Sequence, residues 1–283
     1  MRFELRMPSP DSVAAGQTAV FRFPIGNRFH ELQLAYSGLT LAQMEEIRIY
    51  ANGKVFQTFS GADRDSFNQF DQLSASSGIL KIPFDRQDLK TLAAEEETAV
   101  DTGSLNAAKA AALGLKIANL ERVTSFYMEI DIAPGASAPA LSMNATVSET
   151  LGLGIGTVLH IKRDTRSIGG AGEADISDLA YGKSTSAYLN RVWFKPSAGQ
   201  LDKIRVERNT TVLHERTKEL NEFLQGDGVR VPQAGYQVID RTERGVGGDP
   251  IPLVGATDFR YIVKASSAMT LTIYSENMGK LGD

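Results

Sequence analysis

Three histidines, His30, His160 and His214, are the first residues to test for chemistry, because imidazole titrates near neutrality and ligates metals readily. None forms an H-x-H or H-E-x-x-H pair, so a cupin-type or zincin-type metal centre has no support. His30 is in phase with Leu32, Leu34 and Tyr36, which places it at the edge of a core face. His160 is out of phase with Leu159 and Ile161 and is expected to face outward. The chain has no cysteine, which excludes disulfides and Cys-based zinc sites. No Gly-x-Ser-x-Gly elbow occurs, against a serine hydrolase. Gly152-Leu153-Gly154-Ile155-Gly156 resembles a dinucleotide loop, but its third glycine comes one residue early. The β-favouring Val158–Ile161 follows where a helix should open, so a flexible linker is the better reading. Gly182-Lys183-Ser184 matches the tail of a phosphate-binding loop. The glycine required five residues earlier is Ser177, which leaves a surface loop.

Carboxylates offer little more. Asp63 and Asp65, with Ser60 nearby, could gather oxygens around Ca²⁺, but an acid-rich helix start explains them as well. Glu173, Asp175 and Asp178 form a weaker cluster of the same kind. Asn144-Ala145-Thr146 and Asn209-Thr210-Thr211 are glycosylation sequons with no signal peptide to give them meaning. Trp193, in Tyr188–Pro196, reads as core rather than as a ligand platform. No catalytic or cofactor-binding residue is assigned, the metal site is left unknown, and the chain is not read as an enzyme.

The elements that hold these residues carry more information. Gln43–Phe56, QMEEIRIYANGKVF, is repeated in Gln200–Leu213, QLDKIRVERNTTVL, with Gln, Ile, Arg, Asn and Val matching. The offset, 200 − 43 = 157 residues, is too long for a solenoid period and suits a duplicated domain. Asn52-Gly53 is a tight hairpin turn, since both residues tolerate positive φ. Asn209-Thr210-Thr211 is a poorer turn and is expected to loop wider. A short amphipathic helix follows each copy. Ser60–Leu73 starts at Ser60 and aligns Phe67, Phe70 and Leu73. Thr217–Gln225 is capped by Thr217 and aligns Leu220, Phe223 and Leu224.

The rest is short strands of period two, as in Gly78–Phe84, Ser125–Ala133, Phe259–Val263 and Met269–Tyr274. Such strands with Gly- and Pro-rich connections predict an all-β chain of two tandem jelly-roll sandwiches with short helices. The boundary falls in Ser148–Thr157, giving a first jelly roll over 1–150 and a second over 151–283. Arg86–Arg122 fits neither strands nor repeat. It is Ala-rich with an acidic run, Glu95-Glu96-Glu97, and reads as an elaborated loop projecting from the first half. Its Ala-rich part, Asn106–Leu115, is expected to bury little. Arg241–Gly255 is expected to be irregular.

Composition sets the outer bounds. Net charge is −4, with both signs mixed, which argues against a nucleic-acid surface. Hydrophobic content of 42% fits an ordinary folded protein. The first residues, MRFELRMPSPDS, lack the apolar stretch of a secretory signal, and no segment has the apolar length of a membrane helix.

With the repeat and strands in hand, the chain resembles the double jelly-roll major capsid proteins of corticovirus-type, tailless, internal-membrane bacteriophages. The resemblance is carried by Ala14–Phe56, with Ala14-Ala15-Gly16, Pro24-Ile25-Gly26, Leu34–Thr40, Gln43, Ile47–Ile49 and Gly53. Ile79–Lys90 and Tyr127–Ile132 look like later strands of that first jelly roll, and Glu173–Leu179 like an early segment of the second. It implies a homotrimer of six jelly rolls, a pseudo-hexagon tiling an icosahedral virion shell over an internal membrane. The implied partners are further copies, penton proteins and minor membrane-associated capsid proteins, with no direct nucleic-acid contact. Assembly would occur in the host cytoplasm, with no required cofactor and Ca²⁺ as an optional structural ion. The rival reading is a tandem carbohydrate-binding β-sandwich, which would want exposed aromatics gathered in a groove. A β-sandwich enzyme would want clustered His and Glu.

Overall fold

The computed structural model describes residues 1–247 and 249–282. The first half runs β1 (Arg2–Arg6), β2 (Thr18–Arg22), β3 (Asn27–Ser37), β4 (Met44–Ala51), β5 (Lys54–Phe59), α1 (Gly61–Phe70), β6 (Ile79–Pro83), α2 (Leu92–Glu95), β7 (Val100–Asp101), α3 (Ala107–Ala112), β8 (Phe126–Ile132) and β9 (Ala140–Glu149). The second half runs β10 (Val158–Ile168), β11 (Gly172–Ile176), β12 (Tyr188–Pro196), β13 (Leu201–Arg208), β14 (Thr211–Thr217), α4 (Lys218–Gln225), β15 (Gln237–Asp240), β16 (Ile251–Pro252), β17 (Phe259–Ala265) and β18 (Met269–Gly279).

The pairings of the two halves correspond strand for strand. In the first, β1-β9-β3-β6 faces β5-β4-β8-β2. In the second, β10-β18-β12-β15 faces β14-β13-β17-β11. Each is a jelly roll of two four-stranded antiparallel sheets, open at the edges and not closed into a barrel. The short β7 and β16 join β3 and β12 in the same way. One parallel contact, Ile161 opposite Gln57, joins β10 to β5. It fuses a sheet of each roll into one of nine strands.

The repeat is conserved down to its irregularities. A bulge separates Ile49 from Tyr50 against β5, and another separates Val206 from Glu207 against β14. Both intervals equal the sequence offset: 206 − 49 = 207 − 50 = 157. The second hairpin turn is not wider. Asn209 and Thr210 take φ of 47° and 67°, as Asn52 and Gly53 take 52° and 74°. A β-branched residue pays for positive φ, and local hydrogen bonds offset that. Asn209 Oδ1 accepts from the Thr257 and Asp258 N–H groups at 2.8 and 3.1 Å. Asn52 Oδ1 likewise accepts from Thr124 N–H at 2.7 Å.

The linker is tight rather than loose. Gly152, Gly154 and Gly156 all have positive φ. A Cβ on Gly154 would lie 2.5 Å from the Glu121 carbonyl oxygen, a closeness only glycine permits. Ile155 is buried and donates its N–H to that same oxygen.

The 86–122 segment divides in two. Its first part is woven into the body: Val100 is fully buried, β7 pairs with β3, and Asp101 accepts from Thr150 Oγ1 and Leu151 N–H at 2.6 Å each. Only the Asn106–Leu115 part matches a projecting loop, with Ala110 its one buried residue. In Arg241–Gly255 the backbone forms a single turn at Glu243–Gly245 and the two-residue β16, while Gly248 lies outside the described residues.

Candidate functional site

Asp63, the first carboxylate singled out from sequence, lies in a seam between the two jelly rolls. Ser60 caps α1, its hydroxyl oxygen accepting Asp63 N–H at 3.1 Å. Phe67 and Phe70 on α1 then turn towards the second half, with ring centroids 4.2 and 4.9 Å from Trp193. Trp193 is buried, but against the first roll rather than inside its own. It packs with Tyr274 and Val238, while Val192 and Phe194 on alternate positions of β12 fill the second roll's core.

Asp63 closes this contact. Its Oδ1 accepts from Lys195 Nζ at 2.6 Å and from the Tyr236 hydroxyl. Its Oδ2 accepts from Ser60 Oγ at 2.6 Å and from the Tyr274 hydroxyl. Burial alone would raise its pKa, but these hydrogen bonds, led by Lys195, hold it below the usual carboxylate range. Asp63 is therefore not free to ligate Ca²⁺, since protein donors already occupy both oxygens. Asp65 is also buried and accepts from Gln69 Nε2 and Ser76 N–H at 2.7 Å each.

Deeper in the seam, Arg191 Nε meets Asp240 at 2.9 Å and its Nη2 meets Asp71 at 2.9 Å. Arg230 Nε lies 3.2 Å from Asp240 and 3.3 Å from Asp71. Burial would raise the Asp240 pKa, but these two guanidiniums outweigh it and lower it. Glu276 accepts from Trp193 Nε1 at 2.8 Å and is pushed up by burial. Buried charges of this kind are tolerable only when fully paired, so the two halves are keyed to one relative placement.

Elsewhere His30, Asp85 and Glu96 bring donor atoms within 4.8 Å of one another. His30 Nδ1 lies 3.1 Å from both Asp85 oxygens and Nε2 lies 2.8 Å from Ser148 Oγ, a Ser-His-Asp arrangement. No sequence signal could have found it, since its members are 55 and 118 residues apart. Ser148, however, sits within β9, paired with Arg2 on β1 and Arg28 on β3. Its strand position offers no turn where N–H groups could converge on an oxyanion. Arg2 bridges Asp85 and Glu96 at 2.8 and 2.7 Å, and Arg28 holds Glu96 at 2.9 Å. These guanidiniums satisfy the acids, and Ca²⁺ prefers an all-oxygen set. The cluster works as a clasp between the 86–122 segment and the first roll.

The other sequence candidates are dispersed. His160 is buried, against expectation, because β10 runs between β18 and β5 and is covered on both faces where it joins the rolls. Its Nε2 lies 2.7 Å from the Lys280 carbonyl oxygen. Asp175 pairs with Arg260 and Asp178 with Arg166, both at the surface. Ser184–Ser186 is a single turn, with Gly182 at φ +71° just before it.

Family models for the N-terminal and C-terminal domains of viral coat protein P2 match residues 4–148 and 158–281. The chain belongs to the viral coat protein P2 family. By family it is a structural coat protein, and the comparisons support neither the carbohydrate-binding reading nor an enzyme. The major capsid protein P2 of Pseudoalteromonas phage PM2 is 27% identical over 149 residues, 52% of this chain and 51% of that protein. The sequence match thus spans about half the length of that relative. The crystal structure of the PM2 protein has a TM-score of 0.86 at 20% identity, covering 99% of this chain and 97% of that one. The STIV MCP gives 0.67 at 9% identity, covering 99% and 97%.

Coat proteins act through their surfaces, and two are notable here. The first is α4, whose pattern is reversed. It buries Asn221 and Gln225, whose amides both donate to the Val238 carbonyl oxygen at 2.6 and 2.7 Å. It leaves Phe223 77% and Leu220 47% exposed. The second is the tip of the 86–122 segment, where Leu113, Leu115 and Ile117 face solvent.

Proposed function

We propose that this chain is the main building block of an icosahedral virion shell, acting as a homotrimer of six jelly rolls. The carrying observation is the duplication. One chain supplies two jelly rolls joined in a fixed seam, so three chains supply six near-equivalent edges. Trimers then meet one another in the shell, and pentons and minor membrane-associated proteins complete it above an internal membrane. Assembly takes place in the host cytoplasm. Light scattering of the purified protein is expected to give the mass of three copies, with pseudo-hexagonal outlines in negative stain. A single-copy mass at micromolar concentration, across salt and cation conditions, would overturn the reading.

A structural Ca²⁺ ion belongs to the same proposal, at a site shared between copies, and its support is the family resemblance. An ion bound only by the assembled state raises its melting temperature with concentration. Equal melting curves in EDTA and in millimolar CaCl₂ at matched ionic strength would remove the ion from the account.

A further inference from the structure

We infer that the exposed face of α4 and the edge of β14 dock on the outer face of β1, β9, β3 and β6 in the next copy. This contact would repeat the seam inside the chain, and the inference rests on the trimer reading above.

The internal register of the two rolls relates their surfaces position by position. β3 carries an extra residue at His30 against β9, and β12 carries one at Asn190 against β18. Aligning these bulges makes Gln33 the counterpart of Trp193. Asn144, opposite Gln33, then matches Tyr274, opposite Trp193. Likewise Lys81 matches Val238, each lying opposite those same residues on the other side. Two residues further, Ile79 matches Tyr236, and Ala35 matches Lys195. The helices align independently through their caps, Ser60 and Thr217. Asp63 then matches Leu220, Ser66 matches Phe223, Phe67 matches Leu224 and Asn68 matches Gln225. One bond checks both alignments. Asn68 Nδ2 donates to the Lys81 carbonyl at 2.9 Å, and Gln225 Nε2 donates to that of Val238 at 2.7 Å.

Within the chain, α1 uses Asp63 and Phe67 to cover Lys195, Tyr236, Tyr274 and Trp193 of the following roll. The equivalent roll following α4 is the first roll of another copy. At one corner of this face the chemistry changes on both sides together, while Gln33, Asn144 and Lys81 make the rest of it polar. The lock of the buried Asp63 with the partly exposed Lys195 and Tyr236 becomes Leu220 with Ala35 and Ile79, all apolar. Ile79 is 54% exposed and Phe223 77% exposed in the single chain, large apolar groups whose burial would be favourable. The strand edges correspond too. Gln57 on β5 lies opposite Ile161 on β10, and their counterparts are His214 on β14 and Glu4 on β1. Both β14 and β1 are terminal strands of their sheets, with unpaired edges that another strand can extend.

The absence of native cysteine makes the test clean. Phe223→Cys and Ile79→Cys in one chain, treated with a short bis-maleimide, are expected to give covalent trimers on a denaturing gel. Phe223→Cys with Leu113→Cys is expected to give none. Phe223→Glu is expected to shift the light-scattering mass from three copies to one, with an unchanged circular dichroism spectrum because the side chain is exposed. Trimers that persist with Phe223→Glu, with no Phe223–Ile79 cross-link, would overturn this docking and assign the α4 face to another partner. A single-copy mass for the unsubstituted protein would overturn the trimer reading itself.

Discussion

Asp63 accepts from Lys195, Ser60, Tyr236 and Tyr274, so Asp63→Ala strands the buried Tyr274 hydroxyl and the half-buried Tyr236 hydroxyl, while the 41% exposed Lys195 can turn to water. Leaving a buried hydrogen-bonding group unpaired costs about 1–3 kcal/mol, and urea unfolding is expected to show a loss of that order. Asp65→Asn should cost less, since the amide oxygen can still accept from Gln69 or Ser76. The histidines set the pH response. Burial, with Arg216 and Arg241 nearby, lowers the His214 pKa from 6.5 to about 4. Burial lowers His160 as well. A base with a depressed folded pKa binds protons more readily when unfolded, so stability falls as pH drops from 6.5 towards 4. His214 alone would remove about 2 kcal/mol between pH 7 and 5. Thermal melts across that range are expected to show the decline, and His214→Asn should flatten it. A slope unchanged in that variant would assign the response elsewhere. Asp63 adds to this with the same sign only at lower pH. Its lowered folded pKa gives stability that is present above the unfolded carboxylate value and lost as pH falls through the folded one. Sequence placed Asp63 correctly at a helix start, but an acid there is expected to face solvent, and Asp63 is buried. The groups that bury it lie 132 to 211 residues away in sequence.

At the scale of elements, period-two alternation was a sound guide wherever one sheet face meets a core and the other meets water. Phe126–Ile132 alternates buried and half-buried positions as its sequence does. The guide fails where a second layer covers the outer face. His160 and Trp193 both sit on strands buried on two sides at the seam, and no local pattern states what lies beyond a sheet. It fails in the opposite sense for α4, whose apolar stripe was legible but whose outward direction was not. The 86–122 segment shows the same limit, since composition described its tip and missed its root. Removing Leu105–Asn119 is therefore expected to leave the fold and melting temperature nearly unchanged, because that stretch buries only Ala110. If the segment joins neighbouring trimers, the deletion should weaken shell assembly while trimers persist. Removing Glu95–Thr102 instead would take out Val100, the Arg28–Glu96 pair and the Asp101 contacts to the linker. Circular dichroism and melting should then show a destabilised first roll. Equal effects from the two deletions would show that the tip is also structural.

At the scale of the molecule, the duplication was legible because one hairpin kept its sequence, but the seam was not, since equivalent positions have diverged. Gln33 and Trp193, or Ile79 and Tyr236, share no chemistry, yet they occupy matching sites on matching sheets. That divergence lets one chain hold a permanent contact on one side and leave Leu220 and Phe223 exposed at the matching place on the other. It also makes the halves interdependent. Trp193, Tyr274 and Val238 belong to a core shared with Phe67 and Phe70, and the buried Arg191 pairs with Asp71 across the seam. Residues 158–283 expressed alone would expose that face and leave Arg191 without Asp71. The intact chain is therefore expected to unfold in one cooperative calorimetric transition, with calorimetric and van't Hoff enthalpies equal once trimers are dissociated. Phe67→Ala, which empties space against Trp193 and costs about 3–5 kcal/mol, should lower that one transition for both halves. Two separable transitions, with only the first-half one shifted, would show that the jelly rolls fold as independent units and that the seam is a docking contact rather than part of the core.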